Sequence, residues 1–179
     1  MAQLFSLASF TFMKKYTPLI VAALLASLFV GCFKRPAHVS WSSSESIVVD
    51  PGVAVGSVHS GMTIQQVTVE LGQPSQTVVS ASPEINGALD YTNIGLSVIP
   101  GSGGVVHSVG VRPPFAGRTK EGIGMGARRA DVIKAYGEPT AAKQIQADSE
   151  VLRYDPLGVR FQLQDGMVDL IVVTFKVTK

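Results

Sequence analysis

The side chains here that could carry out chemistry are few and scattered. Cys32 is the sole cysteine, so no internal disulfide forms, and its thiol is the one strong nucleophile in the sequence. Three histidines, His38, His59 and His107, are spread along the chain, and none has a second ligand at metal spacing. Ser57, Ser60 and Asp90 do not form a recognisable nucleophile site. Ser102-Gly103-Gly104 and Gly122-Ile123-Gly124-Met125-Gly126 are glycine-rich, and the second precedes a helical pattern as a phosphate cradle would. It lacks the preceding strand of a βαβ unit and the acidic residue downstream, so a flexible linker is expected there. These residues predict no catalytic site, no metal and no cofactor, and hence no enzyme.

The segment before Cys32 gives that thiol a different use. Lys14-Lys15 opens it, an apolar run follows from Pro18 to Val30, and Gly31 stands just before the cysteine. A charged start, an apolar middle and a small residue at the end are the parts of a secretory signal peptide. The run is too short to cross a bilayer, which takes about 20 apolar residues. Cleavage is expected between Gly31 and Cys32, and Met13 is a second possible start. The junction Phe29-Val30-Gly31-Cys32 resembles the lipobox of bacterial lipoproteins, with Phe29 where that class prefers Leu. The resemblance implies that Cys32 takes a diacylglycerol and becomes the first residue of the mature protein. A covalent lipid on Cys32 would then tie the chain to a membrane. Phe33 follows, where an Asp would resemble an inner-membrane retention signal, so the resemblance implies a lipid-anchored outer-membrane protein facing the periplasm. The alternative is an ordinary cleaved signal with an incidental cysteine.

Charge narrows the partners. The chain has 15 Lys and Arg against 13 Asp and Glu, and the signal segment holds Lys14 and Lys15 but no acid. The mature part is therefore close to neutral. It has no general attraction for nucleic acid and no basic stripe in its sequence.

The elements that must position these residues come in two copies. Gly61-Met62-Thr63-Ile64-Gln65-Gln66-Val67 through Leu71-Gly72-Gln73-Pro74 matches Gly126-Ala127-Arg128 through Tyr136-Gly137-Glu138-Pro139 at an offset of 65. Leu89-Asp90-Tyr91 through Gly95-Leu96 matches Leu152-Arg153-Tyr154 through Gly158-Val159 at an offset of 63. Gly104-Val105-Val106 matches Gly166-Met167-Val168 at an offset of 62. Three blocks in one order point to an internal duplication. Thr63 and Gln66 fit a capping box, and Ile64, Val67 and Leu71 fall on one helical face that Gly72 and Pro74 end. Val132, Ile133 and Tyr136 make the second helix's apolar face, with a weaker cap because Arg128 stands where Thr63 does. Leu89 to Pro100 and Val105 to Val111 look like a hairpin, and Val159, Phe161 and Leu163 alternate with polar neighbours as a half-buried strand does. The division is then a signal over 1–31, a lipidated tether over 32–56, unit 1 over 57–112, a linker over 113–123 and unit 2 over 124–179. The expected fold is α+β, two tandem repeats, each a short helix or helix pair packed on a small antiparallel sheet.

Trp41 in the tether is expected either at the lipid interface or on the domain. Two features are candidate protein contacts. Arg128-Arg129 at a helix start opposes the helix dipole, which fits a solvated pair or a contact for an anion or partner. Phe115, after Pro113-Pro114, is either a buried plug or an exposed anchor.

The pattern Gly61-Met62-Thr63, then Val67, then Leu71-Gly72-x-Pro74, followed by hairpins, resembles the SmpA/OmlA (BamE) lipoprotein family. Two such units in tandem are similar in architecture to β-lactamase-inhibitor-protein folds. The first resemblance implies a non-catalytic scaffold or outer-membrane assembly factor with a protein partner in the envelope. The second implies, as the alternative, a protein inhibitor of a secreted hydrolase.

Overall fold

Residues 41, 47–78 and 87–176 are described by a computed structural model, and all belong to the unit formed by residues 39–179. The expected signal segment, with Gly31 and Cys32, and His38 lie outside the described residues. The fold corrects the α+β expectation. Among the described residues there are twelve strands in two sheets, of four and eight strands, and two α-helices of eight residues each.

The helices are short for local reasons. In α1 (Ile64–Leu71), the Gln66 N–H donates to Thr63 Oγ1 at 3.3 Å and the Thr63 N–H donates to Gln66 Oε1 at 2.8 Å, closing both halves of the box. The Gly72 N–H returns to Thr68 O at 3.0 Å and ends the helix. In α2 (Arg129–Tyr136) the Arg128 N–H donates to Asp131 Oδ2 at 3.1 Å, so Asp131 takes over the part played by Gln66 and also sets a negative charge in the first turn. Each helix fully buries a single valine, Val67 or Val132.

The first copy continues as β4 (Gln76–Val78), β5 (Ala88–Tyr91), β6 (Leu96–Pro100) and β7 (Val106–Val111). The second gives β9 (Ala141–Gln146), β10 (Ser149–Tyr154), β11 (Val159–Gln164) and β12 (Met167–Thr174). They do not form two small sheets. β7 pairs with β12 in antiparallel register, Val111 with Ile171 and Val109 with Val173, which fuses both copies into one sheet of order β4-β5-β6-β7-β12-β11-β10-β9. The reason is the edge. A four-stranded unit ending on Val106–Val111 would leave an apolar row of unpaired N–H and C=O groups, and the partner copy covers it.

Equivalent hydrogen bonds repeat at the sequence offsets. Tyr91 Oη donates to Gly72 O at 3.2 Å and Tyr154 Oη to Gly137 O at 2.9 Å. The N–H groups of Val106 and Val168 donate to Met62 O and Ala127 O, both at 2.8 Å. Those of Arg112 and Thr174 donate to Gly95 O and Gly158 O, again both at 2.8 Å.

The smaller sheet is built from β1 (Val48–Asp50), β2 (Ala54–Val55), β3 (Val58–His59) and β8 (Arg118–Thr119), in the order β3-β2-β1-β8 with β1 parallel to β8. Folded structure thus reaches back to Ile47, inside the stretch read as tether, and residues 118–119 of the stretch read as linker are a strand. Trp41 rests on the domain, packed against the core, its ring close enough to Gly56 that a Cβ there would meet it at 2.8 Å.

One apolar cluster joins these parts. It takes Val49, Val55 and Val58 from the small sheet, Val67 and Val132 from the helices, and Tyr91, Val98, Val109, Leu152, Phe161, Ile171 and Val173 from one face of the large sheet. The helices and the small sheet therefore share that face.

Candidate functional site: the helix-free face of the large sheet

Strand alternation sends every second side chain to the other face. One row crosses all eight strands there: Gln76, Asp90, Ser97, Gly110, Val172, Arg160, Arg153 and Ala141 are successive partners in register. A second row runs Leu170, Gln162, Val151, Lys143. Val172 is only 4% exposed yet stands apart from the core cluster, as expected for a residue on the opposite side. Ile99, Leu170 and Val151 are half-buried around it, and Gly110 is bare enough that a Cβ would lie 3.6 Å from Leu170 Cδ1. The middle of this face is small and apolar. Its β4–β5 end carries Asp90, whose Oδ2 accepts from Gln76 Nε2 at 3.1 Å. Its β9–β11 end carries Lys143, Arg153 and Arg160, all exposed.

The residues singled out from sequence are not drawn together. Arg129 leaves the helix start for the sheet, its Nε 2.9 Å from Glu150 Oε2, and that hydrogen bond, followed by the charge of the carboxylate, raises its pKa. It is a paired cation that stays exposed at the surface. Arg128 is exposed at the cap. Phe115 is 2% exposed, which overturns its role as a protein contact and leaves the plug. The Phe115 N–H donates to Arg112 O at 2.9 Å, and a Cβ on Gly117 would lie 2.6 Å from the ring.

The glycine-rich run is no cradle. The N–H groups of Gly122, Ile123 and Gly126 are spent on Thr119 O, Thr119 Oγ1 and Val168 O at 2.9, 3.1 and 2.8 Å. His59 Nδ1 lies 2.8 Å from Ser60 O, and His107 is exposed in β7. No group of three metal-ligating side chains occurs among the described residues. No described helix is long and apolar enough to cross a membrane.

Beneath the helices, Tyr136, Tyr154 and Phe161 meet ring to ring, with centroids 5.3–5.9 Å apart. The Tyr136 hydroxyl donates to Glu121, and burial, then that carboxylate, push its pKa well above the usual tyrosine value. Burial also raises Tyr91 and Tyr154. These phenols are neutral donors: Tyr91 and Tyr154 fasten the helix ends to the sheet, and Tyr136 ties the second helix to the turn at Glu121.

Sequence reasoning missed the helix-free face. Its signal is the register of the eight strands, and a single copy read alone does not contain it.

No family model matches the sequence, and no curated protein matches it. Among solved structures the chain is similar to a DUF4309 family protein (YjgB) from Bacillus subtilis subsp. subtilis str. 168, with 12% sequence identity and a TM-score of 0.48, over 76% of this chain and 93% of that one.

Proposed function

We infer that this chain is a lipid-anchored, non-catalytic protein-binding scaffold or assembly factor of the bacterial cell envelope. In this reading Cys32 carries the lipid and the protein hangs from the outer membrane into the periplasm. The partner docks on the helix-free face of the large sheet. The observation that supports docking is that face itself: half-buried Ile99, Leu170 and Val151 around Val172, with polar and charged residues at both ends. An apolar centre with a polar rim is the anatomy of a protein interface.

The test is a mild-detergent pull-down of the full-length protein from its own envelope, compared with Cys32→Ser and Leu170→Asp. Recovery of outer-membrane assembly components that is lost in both variants supports the scaffold. Recovery unchanged by Leu170→Asp refutes docking on this face. Recovery of one soluble hydrolase, with stoichiometric loss of its activity, replaces the scaffold with an inhibitor.

A further inference from the structure

The two copies build the same cleft twice, one electrically balanced and one cationic. Beside Gly95 the cleft is lined by Gln76, Asp90, Thr92, Ser97 and Arg112, with a cavity of about 210 Å³. Beside Gly158 the equivalent positions hold Arg153, Asp155, Arg160 and Thr174, joined by Lys176, around a cavity of about 430 Å³. Asp90 has become Arg153 and Ser97 has become Arg160 at the offset of 63. The first cleft balances one acid against one base. The second sets three cations against one carboxylate.

That arrangement costs stability as it stands. Arg153 and Arg160 are direct partners in the β10–β11 register, and like charges directly opposite repel. Asp155 relieves one of them, accepting from Arg153 Nε and a terminal guanidinium nitrogen at 3.1 and 2.8 Å. Lys176 Nζ donates to Pro156 O at 2.8 Å, which places its charge at the cleft without neutralising it. Arg160 has no ion pair or side-chain hydrogen bond among the described residues.

We propose that the Gly158 cleft binds a phosphate group, with Arg160 as its principal ligand and Arg153 and Lys176 completing the cage. The donors come from β10, from β11 and from the chain after β12, so they approach from several sides. A tetrahedral phosphate accepts in several directions, whereas a planar carboxylate is satisfied by one guanidinium fork. The cavity is large enough for the phosphate and a small attached group such as glycerol or a sugar. The phosphate can be soluble or belong to a lipid headgroup. The cleft is open, so binding weakens with salt. This inference stands on the divergence of the two clefts and does not depend on the protein-docking reading.

The experiment follows backbone amide resonances of the full-length protein. One arm adds glycerol 3-phosphate in neutral detergent. The other compares nanodiscs of phosphatidylglycerol with nanodiscs of phosphatidylcholine. Saturable shifts at Gly158 and Thr174, with Gly95 still, support the site. The arm in which they occur names the source. Arg160→Ser copies the residue found in the other cleft, so the fold should tolerate it, and it should weaken binding by about tenfold or more. Lys176→Gln gives a second, smaller loss in a chain whose sheet is untouched. Absence of saturable shifts in both arms overturns the proposal. So do equal shifts at Gly95 and Gly158, or binding that neither substitution weakens.

Discussion

Gly95 tests the account of how the copies close on their loops. Its φ is +66°, and a Cβ there would lie 2.1 Å from Arg112 O, 2.7 Å from Phe115 N and 3.0 Å from Pro114 N. Gly61 is the comparison, with φ +87° and nothing within 4 Å of a Cβ. Gly61→Ala therefore carries only the left-handed backbone penalty, about 1–2 kcal/mol. Gly95→Ala carries the same penalty and must also push the 112–115 turn outward. That lengthens the bond from the Arg112 N–H to Gly95 O, now 2.8 Å, worth about 1 kcal/mol. It also unseats part of buried Phe115, whose full removal would cost about 3–5 kcal/mol. The total for Gly95→Ala is about 3–5 kcal/mol. At roughly 2–4 °C per kcal/mol, Tm should drop by about 6–20 °C, against about 2–8 °C for Gly61→Ala. Thermal unfolding by circular dichroism on both variants decides it. Equal losses would refute the placement of the 112–115 turn against β6, and with it the plug assigned to Phe115.

Two further outcomes rest on the tyrosines. Tyr154→Phe removes the donor to Gly137 O and should cost about 1 kcal/mol in urea unfolding, since Gly137 is exposed and water takes over as its partner. The raised pKa values of Tyr136, Tyr91 and Tyr154 together set an alkaline limit. The unfolded phenols ionise near pH 10 and the folded ones only above that. Their contribution is whole below about pH 10 and is lost as pH rises toward the folded values, because the unfolded state sheds its protons first. Urea midpoints measured from pH 8 to pH 11 should fall above pH 10, and Tyr136→Phe should flatten that fall; a fall of the same steepness in the variant would sink the assignment.

Some of this fold was legible in the residues. The Thr63–Gln66 box, the Gly-x-Pro ends and the alternation in Val159–Gln164 all mark elements that form, because each is a local signal with a local cause. Three features were not. β9 is exposed along its whole length, so it has no buried face and no period to read. The strands of the small sheet are two or three residues long, shorter than any pattern, and β8 finds β1 some seventy positions away in the chain. Most consequential, nothing in β7 or β12 alone names its partner. An apolar strand satisfies its edge with whichever edge geometry brings near, and here that choice turned two expected small sheets into one mostly β fold. The helix-free face and its graded charge exist only once that choice is made. Phe115 was undecided for a similar reason, since burial of a lone aromatic after two prolines depends on what closes over it.

The β7–β12 seam has the geometry of a homodimer written within one chain. Val111 faces Ile171, Gly110 faces Val172 and Val109 faces Val173. Subtracting the offset of 62 turns these into Val111 with Val109, Gly110 with its own equivalent, and Val109 with Val111. A strand meeting itself about a two-fold axis through Gly110 gives that pattern, so two half-length chains could close the same sheet as an isologous pair. In such a pair any change at the surface appears twice. Fusion makes the meeting intramolecular, independent of concentration. It also releases each half from its mirror image. Only then can Asp90 and Arg153 occupy one position of the pattern with opposite sign, and one sheet face have a direction.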